Sequence, residues 1–253
     1  MVPIEIFYEL SRIEKRKLIF DNVQLEKDEL ENAKIITSFL DIFIDDYIEY
    51  KVVKDELDKS KSFLQSQEYQ ERIILEIINS FQLEIDNIIK DIFSKKIEVN
   101  NIYSLADTKS LIYSNQYIRS LNAKFGLLWE KIASLSPYSI NPESEFGIKI
   151  PGVDLIIKNM DTDNIEYIQL KTQKNTLTGS QAPRVRKELS LYEHPVFAAC
   201  FDLSSWTFTQ GNTHIERISG SEFWSRIGIK YENFVKYVIP LIQYAEKRYI
   251  ENI

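Results

Sequence analysis

Apolar residues recur at helical spacing through the first hundred positions, then alternate or cluster at strand spacing between about 151 and 218. From Pro3 to about Lys96 the chain reads almost wholly helical. The segment IEIFYELSRIEKRKLIF (4–20) predicts one first helix. Residues 24–57 predict a long second helix. Its apolar stripe holds Leu25, Leu30, Ile35, Ile36, Phe39, Leu40, Phe43, Ile44 and Ile48, and Glu29, Asp41, Asp45 and Glu49 occupy the other face. A third is expected from about Phe63 to Lys95, with Ile74, Ile78, Phe81, Ile85 and Ile89 among its apolar positions. Helices this long without internal Pro or Gly gain their stability by packing their stripes, as a bundle or an arm.

The polar stretch VNNIYSLADTKS (99–110) is the expected boundary between a helical region, 1–105, and a second domain, 106–253. A helix is predicted over 110–134. Pro137, Pro142 and Gly147 make 135–150 a loop. Then comes PGVDLIIKNMDTDNIEYIQLK (151–171), in which two apolar runs flank a polar turn. TQKNTLTGSQ (172–181) is loop-like, and Pro183 marks the first turn of a short helix ended by His194-Pro195. VFAACF (196–201) reads as a buried strand and WTFTQGNTHIERI (206–218) as a hairpin turning at Gly211. A short helix follows from Ser221, and the last, about 232–250, is expected to kink or break near Ile239 because Pro240 removes a backbone donor. The alternation of elements after residue 110 predicts an α/β fold with a mixed sheet.

The single cysteine, Cys200, excludes an intramolecular disulfide framework and points to a reducing compartment. The opening segment lacks the basic-then-apolar layout of a secretory signal, and no apolar run reaches the length of a membrane span, so a cytoplasmic protein is expected. The formal net charge of −7 is unevenly spread. Residues 1–100 carry 22 Asp and Glu against 14 Lys and Arg, whereas residues 101–253 carry 16 against 17. Residues 169–187 contain Lys171, Lys174, Arg184, Arg186 and Lys187 and no acid. A local basic surface is what a phosphate backbone responds to, whatever the total charge.

Chemistry gathers in 151–171. Asp154 lies inside a strand pattern, where an unpaired carboxylate is costly to bury and a divalent cation removes the cost. Gln169 and Lys171 are two apart and share a strand face. Asp154 and the Gln169 oxygen are hard ligands suited to Mg²⁺, and Lys171 is suited to orienting an attacking water. The alternative is an ordinary β-hairpin in an α/β domain.

A helix with a carboxylate, a strand with Asp, a variable hairpin, a strand ending in an acid-x-Lys motif and then a helix resembles the PD-(D/E)xK nuclease superfamily, type II restriction endonucleases in particular. The resemblance spans about 110–250. It departs from the pattern at Pro151, displaced from Asp154, and at Gln169, where the family has an acid. It implies a restriction-endonuclease-like core, a central mixed β-sheet flanked by helices, that performs sequence-specific, Mg²⁺-dependent cleavage of double-stranded DNA to 5′-phosphate ends. Asp154, Gln169, Lys171 and Glu130 would be catalytic. Asp154, Gln169, Glu130 and the Leu170 carbonyl would hold the metal, with Glu166 ranked behind Glu130. Arg119, Lys124, Gln173, Lys174, Asn175, Thr176, Thr178, Ser180, Gln181, Arg184, Arg186 and Lys187 are the expected DNA contacts. A homodimer would cut both strands, with the N-terminal helices dimerising or clasping DNA, and a companion methyltransferase would protect host DNA. The competing readings are a repair or mobile-element nuclease of the same core, and a non-enzymatic DNA- or protein-binding module. His194, His214, Ser204 and Cys200 lack the partners of a zinc site or a nucleophile, and Trp129, Trp206 and Trp224 read as packing residues.

Overall fold

Ser11 caps a helix of its own: its hydroxyl accepts from the Glu14 N–H, and the Glu14 carboxylate reaches back to the Ser11 N–H. The computed structural model, which describes every residue except Met1, Ile97, Asn100, Asn101 and Thr178, therefore has two helices where the periodicity predicts one. They are α1 (Ile4–Glu9) and α2 (Arg12–Asp21). The long second helix is likewise two, α3 (Glu29–Leu40) and α4 (Ile44–Glu56). The break at 41–43 lets Phe43 turn inward, edge-on to Phe7 with ring centroids 5.0 Å apart, and lets Asp41 accept the Tyr167 hydroxyl.

The chain continues with α5 (Gln67–Ser94), α6 (Ile102–Leu105) and α7 (Lys109–Ala133). Next come β1 (Ser139–Ile140), α8 (Pro142–Phe146), β2 (Leu155–Lys158), β3 (Ile165–Gln173) and α9 (Ala182–Leu189). β4 (Pro195–Phe201), β5 (Glu216–Ser219), α10 (Ser221–Arg226) and α11 (Tyr231–Ile250) complete it. The expected loop at 135–150 thus contains a short strand and a short helix, the latter capped by the Asn141 side chain on the Ser144 N–H.

Two compact units interleave along the sequence: residues 1–70 with 130–231, and residues 71–129 with 232–253. The first holds the whole sheet, in the order β1-β2-β3-β4-β5. β1 to β3 are antiparallel neighbours, and β3, β4 and β5 run parallel. The helix α9 makes the crossover from β3 to β4, which a parallel pair requires. Every residue of β4 is buried, as expected of a strand covered on both faces. The architecture is a mixed sheet flanked by helices.

The hairpin expected at 206–218 does not form. β5 pairs parallel with β4, so the chain between them must cross back rather than fold on itself. Phe208 and Ile215 are fully buried anchors of that crossing, and Phe208 packs on Phe197 with centroids 4.4 Å apart. The second unit is helical. Phe81 stacks on Phe125 and Phe125 on Trp129, and Arg248 pairs with Asp86 at 2.7 Å. α11 runs through Pro240 as one helix, so the expected break does not occur. Among the described residues, no helix is long and apolar enough to cross a membrane.

Candidate functional site

Asp154 is delivered by a tight turn. Pro151 accepts the Tyr192 hydroxyl on its carbonyl at 2.7 Å, and Gly152 takes φ +75° with Glu188 so close that a Cβ there would lie 2.8 Å from the Glu188 Cβ. Only glycine fits both demands. The displaced proline therefore still fixes the approach to the aspartate. The Asp154 N–H donates to the Ile168 carbonyl at 2.8 Å, and its Oδ2 accepts the Leu170 N–H at 2.8 Å. The paired register ends at Leu155, opposite Ile168, and Asp154 lies just before it, lining the same cleft as Gln169. Lys171, two residues on, brings its Nζ to 3.5 Å from Asp154 Oδ2.

Glu130 enters from the last turn of α7. Asn141 Nδ2 donates to its Oε2 at 3.3 Å. Burial, then the nearby charge of Asp154, pushes the Glu130 carboxyl up from 4.5 to about 7, with Lys171 and the Asn141 bond pulling the other way. The same three charges act on the buried Cys200 thiol behind the site, which burial holds well above its ordinary range.

Glu130, Asp154, Gln169 and Lys171 line one cleft of about 450 Å³. Its most informative atom is Gln169 Oε1, which is buried and has no hydrogen-bond partner among the described residues. Buried polar atoms are nearly always paired, and an exception needs a reason. Among the described residues, no three His, Cys, Asp or Glu side chains group to hold a metal ion. A cation here must therefore draw on the Gln169 amide oxygen, together with the two carboxylates. Those oxygens are hard donors, the kind Mg²⁺ takes, and the orphaned Gln169 oxygen fits such an ion. Leu170 meets the site through its N–H. Glu166 does not line this cleft; it is committed to Arg226.

The expected DNA contacts spread more widely. Gln181 and Arg184 line the cleft, Arg184 pairing with Glu188 at 2.6 Å. Gln173 and Thr176 close a turn after β3, the Thr176 hydroxyl donating to the Gln173 carbonyl at 2.8 Å. Lys174 is ion-paired with Asp202, and Arg186 donates to the Thr209 carbonyl at 2.8 Å. Asn175, Ser180 and Lys187 are exposed, and Thr178 lies outside the described residues. Arg119 and Lys124 belong to the helical unit, where Lys124 pairs with Glu84 at 3.0 Å.

No protein-family model matches the chain, and no curated protein matches it significantly. The site has to be read on its own geometry.

That geometry includes residues the sequence reading missed. Asn141, Glu143, Lys149 and Glu188 also line the cleft. Three of them come from the irregular segment around β1 and α8, where no periodicity marks a face. Asn141 alone carried a signal, since Asn before Pro-Glu is a helix cap. The histidines do share a second cleft, of about 320 Å³, with Glu166 and Arg226. His214 is bonded there to the Tyr192 carbonyl at 3.0 Å, and both rings are exposed.

Proposed function

We propose that this cleft hydrolyses phosphodiester bonds of double-stranded DNA in a Mg²⁺-dependent, sequence-specific reaction, as a type II restriction endonuclease does. The observation that carries the reading is the orphaned Gln169 Oε1 in the cleft that Asp154 also lines, with Lys171 on the same strand face and 3.5 Å from Asp154 Oδ2. A divalent cation, held by Asp154, Gln169 and Glu130, would supply positive charge beside the reacting phosphate.

The chain's own groups do the rest. Lys171 orients an attacking water and offsets charge growing on the phosphate. The water oxygen bonds to phosphorus as the bond to the 3′ oxygen breaks, leaving a 5′-phosphate and a 3′-hydroxyl. The Leu170 N–H and the Lys171 ammonium both address Asp154 Oδ2, which fixes the carboxylate plane, and among the described residues nothing is hydrogen-bonded to Oδ1. Glu130, its carboxyl pushed up to about 7 by burial and Asp154, would bind the cation in its ionised form, so that cation binding favours loss of its proton. Gln181 and Arg184 at the cleft, with Lys187 beyond it, contact the DNA. Two copies of the chain would cut the two strands, and a methyltransferase acting on the same site would protect host DNA.

Digestion of unmethylated DNA of known sequence with Mg²⁺ tests this. Discrete fragments from the wild type, lost in Asp154→Ala and in Lys171→Ala, are the expected result. Cleavage unchanged by either substitution removes the assigned site, and smeared rather than discrete products favour a repair or mobile-element nuclease.

A further inference from the structure

The segment Trp206–Thr209 collects cations from three separate elements. Lys174, just past β3, sits 5.8 Å from the Trp206 ring centroid, and the Arg217 guanidinium of β5 sits 5.6 Å from it. Arg217 Nη1 donates to the Phe208 carbonyl at 2.9 Å, and Arg186 Nη1, from α9, donates to the Thr209 carbonyl at 2.8 Å. The segment is itself tied down, since the Thr207 N–H and hydroxyl donate to the Lys174 and Leu177 carbonyls at 3.3 and 2.6 Å.

These partners orient the cations without discharging them. A ring face and a backbone carbonyl are neutral, so Arg186 and Arg217 keep their full charge. Neither has a carboxylate partner among the described residues. Only Asp202, itself exposed, pairs with one of the three, Lys174. Three cations gathered on one short segment repel one another, and in a chain of net charge −7 such a gathering is conspicuous. An anionic polymer offsets that repulsion. Two of the three cations adjoin the cleft along the chain: Lys174 is three residues past Lys171, and Arg186 is two past Arg184, both of which line it.

We infer that Trp206–Thr209 forms a phosphate-binding ledge on which the backbone of duplex DNA rests as it leaves the cleft. The inference rests on the nuclease reading for its ligand; Lys174 and Arg186 are already expected DNA contacts there, and what is added is Arg217, the Trp206 support and the joining of the three cations on one segment. Trp206 acts there as a positioning residue, holding Lys174 and Arg217, and the phosphates meet the cations. No base is read, so binding at the ledge is independent of sequence.

The test is binding of a mixed-sequence 30-base-pair duplex to the full chain in chelator, by fluorescence anisotropy across a range of salt concentrations. Each lost phosphate contact lowers the slope of log affinity against log salt by about 1. The Arg186→Gln/Arg217→Gln double variant should therefore bind more weakly, with a slope shallower by about 2. The corresponding double lysine variant should keep the wild-type slope, which separates charge from folding. Asp202→Asn, an exposed change that frees Lys174, should strengthen binding. An unchanged slope in the Gln variant, unchanged or weakened binding in Asp202→Asn, or no binding of duplex by the wild type overturns the ledge. Cleavage measured in parallel with Mg²⁺ keeps the two ideas apart. Ledge-dependent binding without cleavage defeats only the nuclease reading, and cleavage with an unaltered slope in the Gln variant defeats only the ledge.

Discussion

Glu166 and Gln169 stand three residues apart on β3 and are treated in opposite ways. Glu166 is saturated. It accepts Arg226 Nη1 on both oxygens, at 2.8 and 2.9 Å, and Asn159 at 2.7 Å, while Arg226 also clasps Glu216 at 2.7 and 2.9 Å. Gln169 Oε1 has no partner among the described residues, and it shares a cleft with two carboxylates, one of which, Glu130, has a raised proton affinity. Both regions bury polar atoms in the same sheet. A buried network built for structure closes on itself, because each unpaired group costs stability. A site built for a ligand leaves donors or acceptors open and bears that cost until the ligand arrives. The contrast, more than any motif, separates the two.

Removing the partner of the saturated network should cost the most. Arg226→Met leaves Glu166, only 4% exposed, as a buried unpaired carboxylate, and a loss of about 3–5 kcal/mol is expected in urea unfolding. A loss under about 1 kcal/mol would mean that Glu166 is not held by Arg226. The open site should behave in reverse. Asp154→Asn and Lys171→Met are expected to leave the unfolding midpoint almost unchanged while abolishing Mg²⁺-dependent cleavage. Equal losses of stability in both regions would erase the distinction.

Glu130 gives a smaller effect with a definite sign. Its carboxyl ionises near 4.5 in the unfolded chain and at about 7 in the folded one. Between those values the unfolded state releases the proton first, so this group's contribution to stability falls as pH rises from 4.5 to about 7 and is flat above. In chelator, Glu130→Gln should match the wild type near pH 4.5 and melt at a higher temperature at pH 8. The difference between the two melting curves is the measurement, and a variant less stable at pH 8 contradicts the assignment. The smallest change is Gln169→Glu. It adds the acid expected at this position and should lower the Mg²⁺ concentration needed for half-maximal cleavage several-fold. A requirement that stays the same would place Gln169 outside the metal's reach.

The strands of this site were legible because a sheet has a period of two, which puts Gln169 and Lys171 on one face; that Asp154 meets Lys171 depends on the turn before β2. Glu130 was named through a resemblance: it is the sole acid of α7, but a single carboxylate in a helical pattern does not say what it faces. Other features were hidden by non-local pairing. The Arg226 clasp joins α10 to β3 and β5, and the segment 206–218 looks like a hairpin until β4 is seen to hold β5 in parallel. The interleaved units escaped notice because a polar interruption marks a loop, not which segments pack together. The split at Ser11 was readable in principle: Ser-x-x-Glu is a capping box, overridden in the reading by the apolar periodicity around it.

The central claim is that the Asp154–Gln169 pair is an open divalent-cation site. Isothermal titration of Mg²⁺ into the metal-free chain at pH 8 tests it without reference to any substrate. Saturable binding in the wild type, absent in Asp154→Ala and retained in the exposed-surface variant Asp202→Asn, is the result expected. No saturable binding in the wild type, or binding unaffected by Asp154→Ala, would contradict it.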